Sequence, residues 1–330
     1  MKSGNGALKT LCAAGLLAVA PIAAIAGTRP AVSTLVETVT IPFAPPVDQE
    51  LKYTLTIQKS SSGKATTAVS RQELRFARAN DGYLLHFKIT DIRSDGGMID
   101  LSSATAIRQL PPQLQPFLLP MTFDVARDGA IVRVHNWPSL QAAIARIPEM
   151  LTQQEPLASR AQLRAAIAGA INFFAEMNAE QAAPALLKGW PAMLGFGGSE
   201  GEDGASYELS TDVQVLAIPV SIPVTGQYSI TRDPQTGRLR YDQSTKPDVK
   251  KSEAALAEYL GRLASNATDA KHRANIAKGI DAVRGMITED TMSITFDAGT
   301  GLIRHGSSER RVTLPNGEVG SERLTIERIS

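Results

Sequence analysis

From position 51 to 58 apolar and polar residues alternate without a fault, with Leu51, Tyr53, Leu55 and Ile57 on one side and Lys52, Thr54, Thr56 and Gln58 on the other. A period of two places one set against a core and the other in water, so the segment is a strand. A polar turn near 60–64 leads to a second strand near 68–78. Asn80-Asp81-Gly82 then supplies residues that tolerate positive φ, and a third strand over 83–92 carries Leu85, Phe87 and Ile89 on its apolar face. These three strands predict an antiparallel meander. A further hairpin is expected over 117–134, turning at Asp128-Gly129.

The period then changes. Over 156–182 the residues Leu163, Ile167, Ile171, Phe174 and Met177 recur at spacings of four, four, three and three. Residues so spaced stack on one face of a helix. Two more helices are expected at 252–264 and 269–288, the second with Ile276, Ile280, Val283 and Ile287 on one face. Strands are expected at 207–215, 224–232, 238–243, 291–297, 302–314 and 319–329. The stretch 195–204, with five glycines among ten residues, reads as a loop or hinge. The fold class is α+β: a largely antiparallel, curled sheet with several helices packed on one face, in the manner of a half-barrel. Residues 49–330 form a single domain, with 195–205 as a candidate divide between two pseudo-repeated halves.

The first 26 residues follow a different rule. Lys2 and Lys9 give a positive start, an apolar run extends over 11–25 with Gly15 and Pro21 as its interruptions, and Ala24-Ile25-Ala26 is a small-x-small exit. This is the pattern of a cleaved signal peptide. The run is too short and too rich in alanine for a stable bilayer span. Cleavage is expected at Ala26/Gly27, and the mature protein in the periplasm or secreted. Residues 27–48, with Pro30, Pro42, Pro45 and Pro46, then read as an extended lead-in.

Charge removes partners from consideration. Lys and Arg number 34 and Asp and Glu 33, and cleavage removes two lysines, so the mature chain is close to neutral. Nucleic acid and anionic membrane surfaces both call for a basic excess that is absent. The single cysteine, Cys12, lies in the leader behind Leu11, not in a lipobox. The mature chain therefore has no disulfide, cysteine nucleophile or thiolate metal site, which suits a bacterial periplasm.

One internal similarity stands out. The twelve residues from Ser229 to Arg240 align without gaps on those from Ser293 to Arg304, with seven identities, each copy reading strand, Asp-x-x-Thr-Gly turn, strand. The aspartate accepts hydrogen bonds from turn amides, and the glycine, Gly237 or Gly301, takes a positive φ. Duplication and convergence on one turn grammar both explain it. This repeat, the leader and the alternation of sheet with helices resemble the half-barrel proteins of the bacterial envelope that carry lipids or lipoproteins, and uncharacterised exported families with Asp-x-x-Thr-Gly hairpins. The resemblance is one of grammar and assigns no functional residue to a numbered position here.

Catalytic signatures are sparse. His86, His135, His272 and His305 are far apart and lack metal-ligand spacing. His86 lies on the polar face of its strand, and His135, at the end of a hairpin, is the better functional candidate. The residues from Gly197 to Gly201 satisfy Gly-x-Ser-x-Gly around Ser199, but a nucleophile elbow needs a hydrophobic strand before the serine and a helix after it, and both are missing. Asp95, Asp100, Glu200, Glu202 and Asp203 could form an acid–base pair only if the fold gathers them. Trp137 and Trp190, each followed by proline, suit wedges between helix and sheet as well as pocket walls.

The expectation is thus an exported, non-catalytic envelope protein. It binds an apolar ligand, a small molecule or lipid, or an envelope protein at Leu163, Ile167, Ile171, Phe174 and Met177, with no cofactor and no metal. The same stripe also serves as plain core, the commoner use of such spacing. The competing expectation is a periplasmic hydrolase whose active site is assembled from sequence-distant residues.

Overall fold

The computed structural model describes residues 37–61, 63–94, 97–108, 115–147, 174, 176–187, 189–215, 220–266 and 287–329. The first half gives strands β1 (Thr38–Thr40), β2 (Glu50–Ser61), β3 (Lys64–Ala79), β4 (Gly82–Ser94), β5 (Gly97–Asp100), β6 (Met121–Ala126) and β7 (Ile131–Val134). Helices α1 (Ala104–Arg108), α2 (Trp137–Ala145), α3 (Ala179–Leu186) and α4 (Trp190–Leu194) lie among and after them. The second half gives β8 (Glu200–Glu202), β9 (Ser206–Val215), β10 (Val220–Arg232), β11 (Leu239–Pro247), helix α5 (Val249–Asn266), β12 (Ile287–Phe296), β13 (Ile303–Thr313) and β14 (Val319–Arg328).

Strand pairing follows chain order except at one seam. The sheet runs β7-β6-β4-β3-β2-β14-β13-β12-β11-β10-β9, with β5 added beside β4, every pair is antiparallel, and the sheet does not close on itself. At the seam β14 pairs with β2, Ile326 facing Leu55 and Leu324 facing Ile57, so strands from the two ends of the chain lie side by side in one continuous sheet. Alternation fixes which residues go in. Leu51, Tyr53 and Leu55 of β2, Leu74 and Phe76 of β3, Leu85 and Phe87 of β4, Ile294 and Phe296 of β12 and Leu324 and Ile326 of β14 are buried on one face. A bulge between Arg71 and Gln72 and another between Thr295 and Phe296 shift the register, and such bulges bend a sheet and increase its twist.

The lead-in belongs to this core, which begins before residue 49. Ile41 and Val39 are fully buried, and Phe43 packs edge-on against Phe76 and Tyr83. Backbone hydrogen bonds hold the segment, among them Ile41 N to Ser199 O, Gly198 N to Ile41 O, Ala44 N to Thr300 O and Asp48 N to Phe76 O. Prolines 42, 45 and 46 keep the chain extended and out of the main ladder, which leaves its side chains free to pack across it. The glycine-rich stretch is equally engaged. β8 lies within it and pairs with β1 as a two-stranded ribbon, Phe196 is buried against Tyr241 and Phe296, and Gly197 N donates to Asp128 O.

Two predicted helices are corrected. The 156–182 helix does not run through to its end, since Met177 and Asn178 are non-helical and α3 starts afresh behind them. The 269–288 helix does not reach its expected end, since Ile287 and Thr288 open β12 and pair with Thr313 and Val312. Ile276, Ile280 and Val283 lie outside the described residues.

Both copies of the repeat are hairpins, β10–β11 and β12–β13, with matching turn bonds. Asp233 Oδ1 accepts from Gln235 N and Thr236 N, and Asp297 Oδ1 accepts from Gly299 N and Thr300 N. The hydrogen bond from Arg304, joined by those from Thr300 and Gly299, outweighs partial burial and holds the Asp297 carboxyl down to about 2. Gly237 and Gly301 have φ of 67° and 65°. Their surroundings differ. A Cβ on Gly237 would meet open space, whereas one on Gly301 would lie 1.6 Å from Pro42 O, because the lead-in crosses that turn. Gly237→Ala is therefore expected to cost about 1 kcal/mol of left-handed strain, and Gly301→Ala several-fold more, since the lead-in must also move. Urea melts of the two variants check this; equal losses would contradict it.

Candidate functional site

The buried face changes character along the strands. Where the lead-in and Trp190 pack on it, it is apolar apart from the buried Gln72. Trp190 of α4 stands edge-on to Tyr53 with centroids 4.9 Å apart, and its indole Nε1 donates to Gln72 Oε1 at 2.6 Å. Gln72 in turn donates to Ser70 Oγ, so the buried amide and indole satisfy each other. Gly306 leaves room for Met193, whose Sδ would lie 2.8 Å from a Cβ there. Burial pushes the Tyr53 phenol up to about 12.

One register row further out, Ile57, Leu324, Ser308, Met292, Gln243 and Tyr228 face one another across six strands. Ile57, Met292 and Tyr228 are only partly buried there. Tyr228 stacks between Tyr207 and Tyr241 at 5.2 and 5.7 Å. The next row is an in-register ladder of alternating charge: Lys59, Glu322, Arg310 and Asp290, ending on buried Thr245. Lys59 Nζ meets Glu322 at 2.9 Å, and Arg310 grips both oxygens of Asp290 at 2.7 and 2.9 Å. Bidentate guanidinium–carboxylate pairs are among the stronger polar contacts. The face thus grades from filled apolar core, through a half-buried apolar row, to a charged rim.

Of the predicted stripe, Phe174 and Met177 are described. Phe174 is partly buried against the core, and Met177 is buried within it. Leu163, Ile167 and Ile171 lie outside the described residues. Met177 is pinned through its carbonyl, which accepts from Trp137 Nε1 at 2.9 Å and Gln141 Nε2 at 3.3 Å. Beside it Asn178 caps α3: its Oδ1 accepts from Glu180 N and Gln181 N, and Gln181 Oε1 accepts from Asn178 N. This capping box is written in the sequence as Asn-Ala-Glu-Gln and is the signal that the helical period overrode. Both tryptophans are wedges, 4% and 1% exposed.

The catalytic candidates are not assembled. His135 Nδ1 lies 3.0 Å from Asp124 Oδ1, on the face away from the core. Burial raises the Asp124 carboxyl, but hydrogen bonds from Arg133 and His135 prevail and hold it below its usual range. Thr122 Oγ1 contacts His86 Nδ1 at 3.4 Å, and burial, then Arg75, lowers the His86 imidazole. Ser199 Oγ is buried without a hydrogen-bond partner and so has no contact with either histidine. Asp100 accepts from Ser102 N, Glu200 and Glu202 lie in β8, and Asp203 accepts from Arg232 N; Asp95 and His272 lie outside the described residues. Among the described residues no group of three or more histidines and acids could hold a metal ion, and no helix is long and apolar enough to cross a membrane. No protein-family model matches the chain, and no curated protein matches it.

The anchor at Met177 and Asn178 can be tested by stability. Asn178→Ala is expected to cost about 1 kcal/mol through loss of the cap, and Met177→Ala about 2–5 kcal/mol through the cavity it leaves. Denaturant midpoints of the two variants measure this; a Met177→Ala protein as stable as the wild type would remove residue 177 from the core.

Proposed function

We propose that this chain is an exported, non-catalytic binding protein of the bacterial envelope that holds an apolar ligand against the buried face of its sheet. The observation that carries the reading is the half-buried row of Ile57, Met292 and Tyr228, with Phe174 partly buried against the same core. A row of this kind, bounded by filled core on one side and by the charged ladder on the other, offers apolar contact to a tail and polar contact to its wetter end. In this reading the sheet curls as a half-barrel around α3 and α4, as the resemblance to envelope lipid and lipoprotein carriers implies, and residues 1–26 direct export.

Native mass spectrometry of gently purified mature protein tests the proposal. The expected result is a co-purifying lipid-sized adduct whose occupancy falls at least tenfold in Phe174→Ala and Tyr228→Ala proteins that keep a wild-type circular dichroism spectrum. Absence of any adduct, together with turnover of an ester, peptide or glycan that is lost on changing His135 or Ser199, would replace this reading with the hydrolase.

A further inference from the structure

The face turned away from the core carries a shallow trench of about 390 Å3 that crosses the strands from β9 to β14. Its floor is a single register row, with Ser206 opposite Ser229, Ser229 opposite Asp242, Asp242 opposite Ser293 and Ser293 opposite Ser307. The adjoining row of Gln227, Ser244, Thr291, Glu309 and Arg323 forms a wall. The long side chains of Gln227, Glu309 and Arg323 beside the serines of the floor leave a depression across a pleated surface. Strands lie about 4.8 Å apart, so the floor offers a polar group at about that interval across five strands. The repeat contributes directly: Ser229 and Ser293 are its equivalent first residues, two strands apart on the same floor.

Hydroxyls are the commonest groups along the trench. Ser229, Ser244, Thr291, Ser293 and Ser307 make no side-chain hydrogen bond within the structure, so each keeps a donor and acceptors for a ligand. Of the charges beside them, Asp242 is paired with Arg240 at 2.8 Å and Glu309 with Arg311 at 3.2 Å, and Arg323 adds a guanidinium to the wall. Tyr228, Gln243 and Met292, which lie between the two rows in sequence, also line it. The near-neutral chain lacks the basic excess that a polyanion requires. A long, shallow groove rich in unpaired hydroxyls, in a protein read above as exported, complements a chain that is itself polyhydroxylic.

We propose that this trench binds a polysaccharide strand through hydrogen bonds to its hydroxyls, independently of any ligand on the buried face. Co-sedimentation of the mature protein with purified peptidoglycan sacculi, with crosslinked dextran and with phosphatidylethanolamine–phosphatidylglycerol vesicles tests it. Retention is expected on at least one polysaccharide, unchanged at high salt because the contacts are not ionic. Retention on sacculi alone assigns the cell-wall glycan as the source, and retention on dextran a broader glucan specificity. Ser293→Phe, which fills the floor, should weaken binding tenfold or more. Thr291→Val, which removes one hydroxyl at constant shape, should weaken it about fivefold, and it keeps the test decisive if the bulkier variant fails to fold. Retention on neither polysaccharide, retention abolished by salt, equal retention of wild type and Thr291→Val, or preference for the vesicles would each overturn the assignment.

Discussion

An antiparallel sheet with one apolar face and no closure must have that face covered, and every other feature of this protein follows from how it is done. The cover includes two stretches distant in sequence, residues 37–48 and 189–199, which are hydrogen-bonded to each other between Ile41 and Ser199 and between Gly198 and Ile41. Aromatic rings supply much of the contact: Phe43 on Phe76 and Tyr83, Trp190 on Tyr53, Phe196 on Tyr241 and Phe296. Each such ring removes a large apolar area from water, and the edge-on pairs add the favourable quadrupole geometry. The buried Trp190 indole and Gln72 amide contribute by satisfying each other, since either left alone would cost a few kcal/mol.

The pairing of β14 with β2 sets where that cover can sit. It brings the last strand beside the first long one, so that Leu324 and Ile326 extend the apolar surface of Leu55 and Ile57 without a break. The same registers that align the apolar rows align the charged ladder beyond them and, on the opposite face, the row of hydroxyls. A sheet whose side chains alternate strictly acquires two distinct surfaces from one set of hydrogen bonds. One is greasy toward its centre and charged at its rim; the other is polar, carrying the row of hydroxyls together with ion pairs such as Lys88–Glu73 and Glu309–Arg311.

Strands were legible because a half-buried sheet imposes its period of two on the residues, as at Leu51, Tyr53 and Leu55, and because Asp-x-x-Thr-Gly has few alternatives to a tight turn. The turn glycines Gly237 and Gly301 take the positive φ that this grammar demands. The burial of the lead-in was not legible. Prolines announce an extended chain but not its partners, and those partners, Phe76, Ser199 and Thr300, are decided by tertiary packing alone. The glycine-rich stretch reads as a loop, and turns do flank β8 there, but its packing was not legible for the same reason, since Gly197 makes a close approach to Asp128 and Phe43. The break at Asn178 was present as a capping box but was outvoted by the apolar spacing of Phe174 and Met177. The hydroxyl trench required knowing which strands are neighbours, since Asp242, Ser293 and Ser307 are unrelated in sequence until the ladder aligns them.

Amide hydrogen exchange on the protein tests the central claim most directly. If residues 37–48 cover the sheet, the amides of Ile41, Ala44, Asp48 and Gly198, each bonded across this junction, should exchange only with global unfolding, at the same free energy as the central strand amides of β2 and β14. Fast exchange of those four amides, with the β2 and β14 amides still protected, would show a sheet that is stable without its cover and would contradict the account.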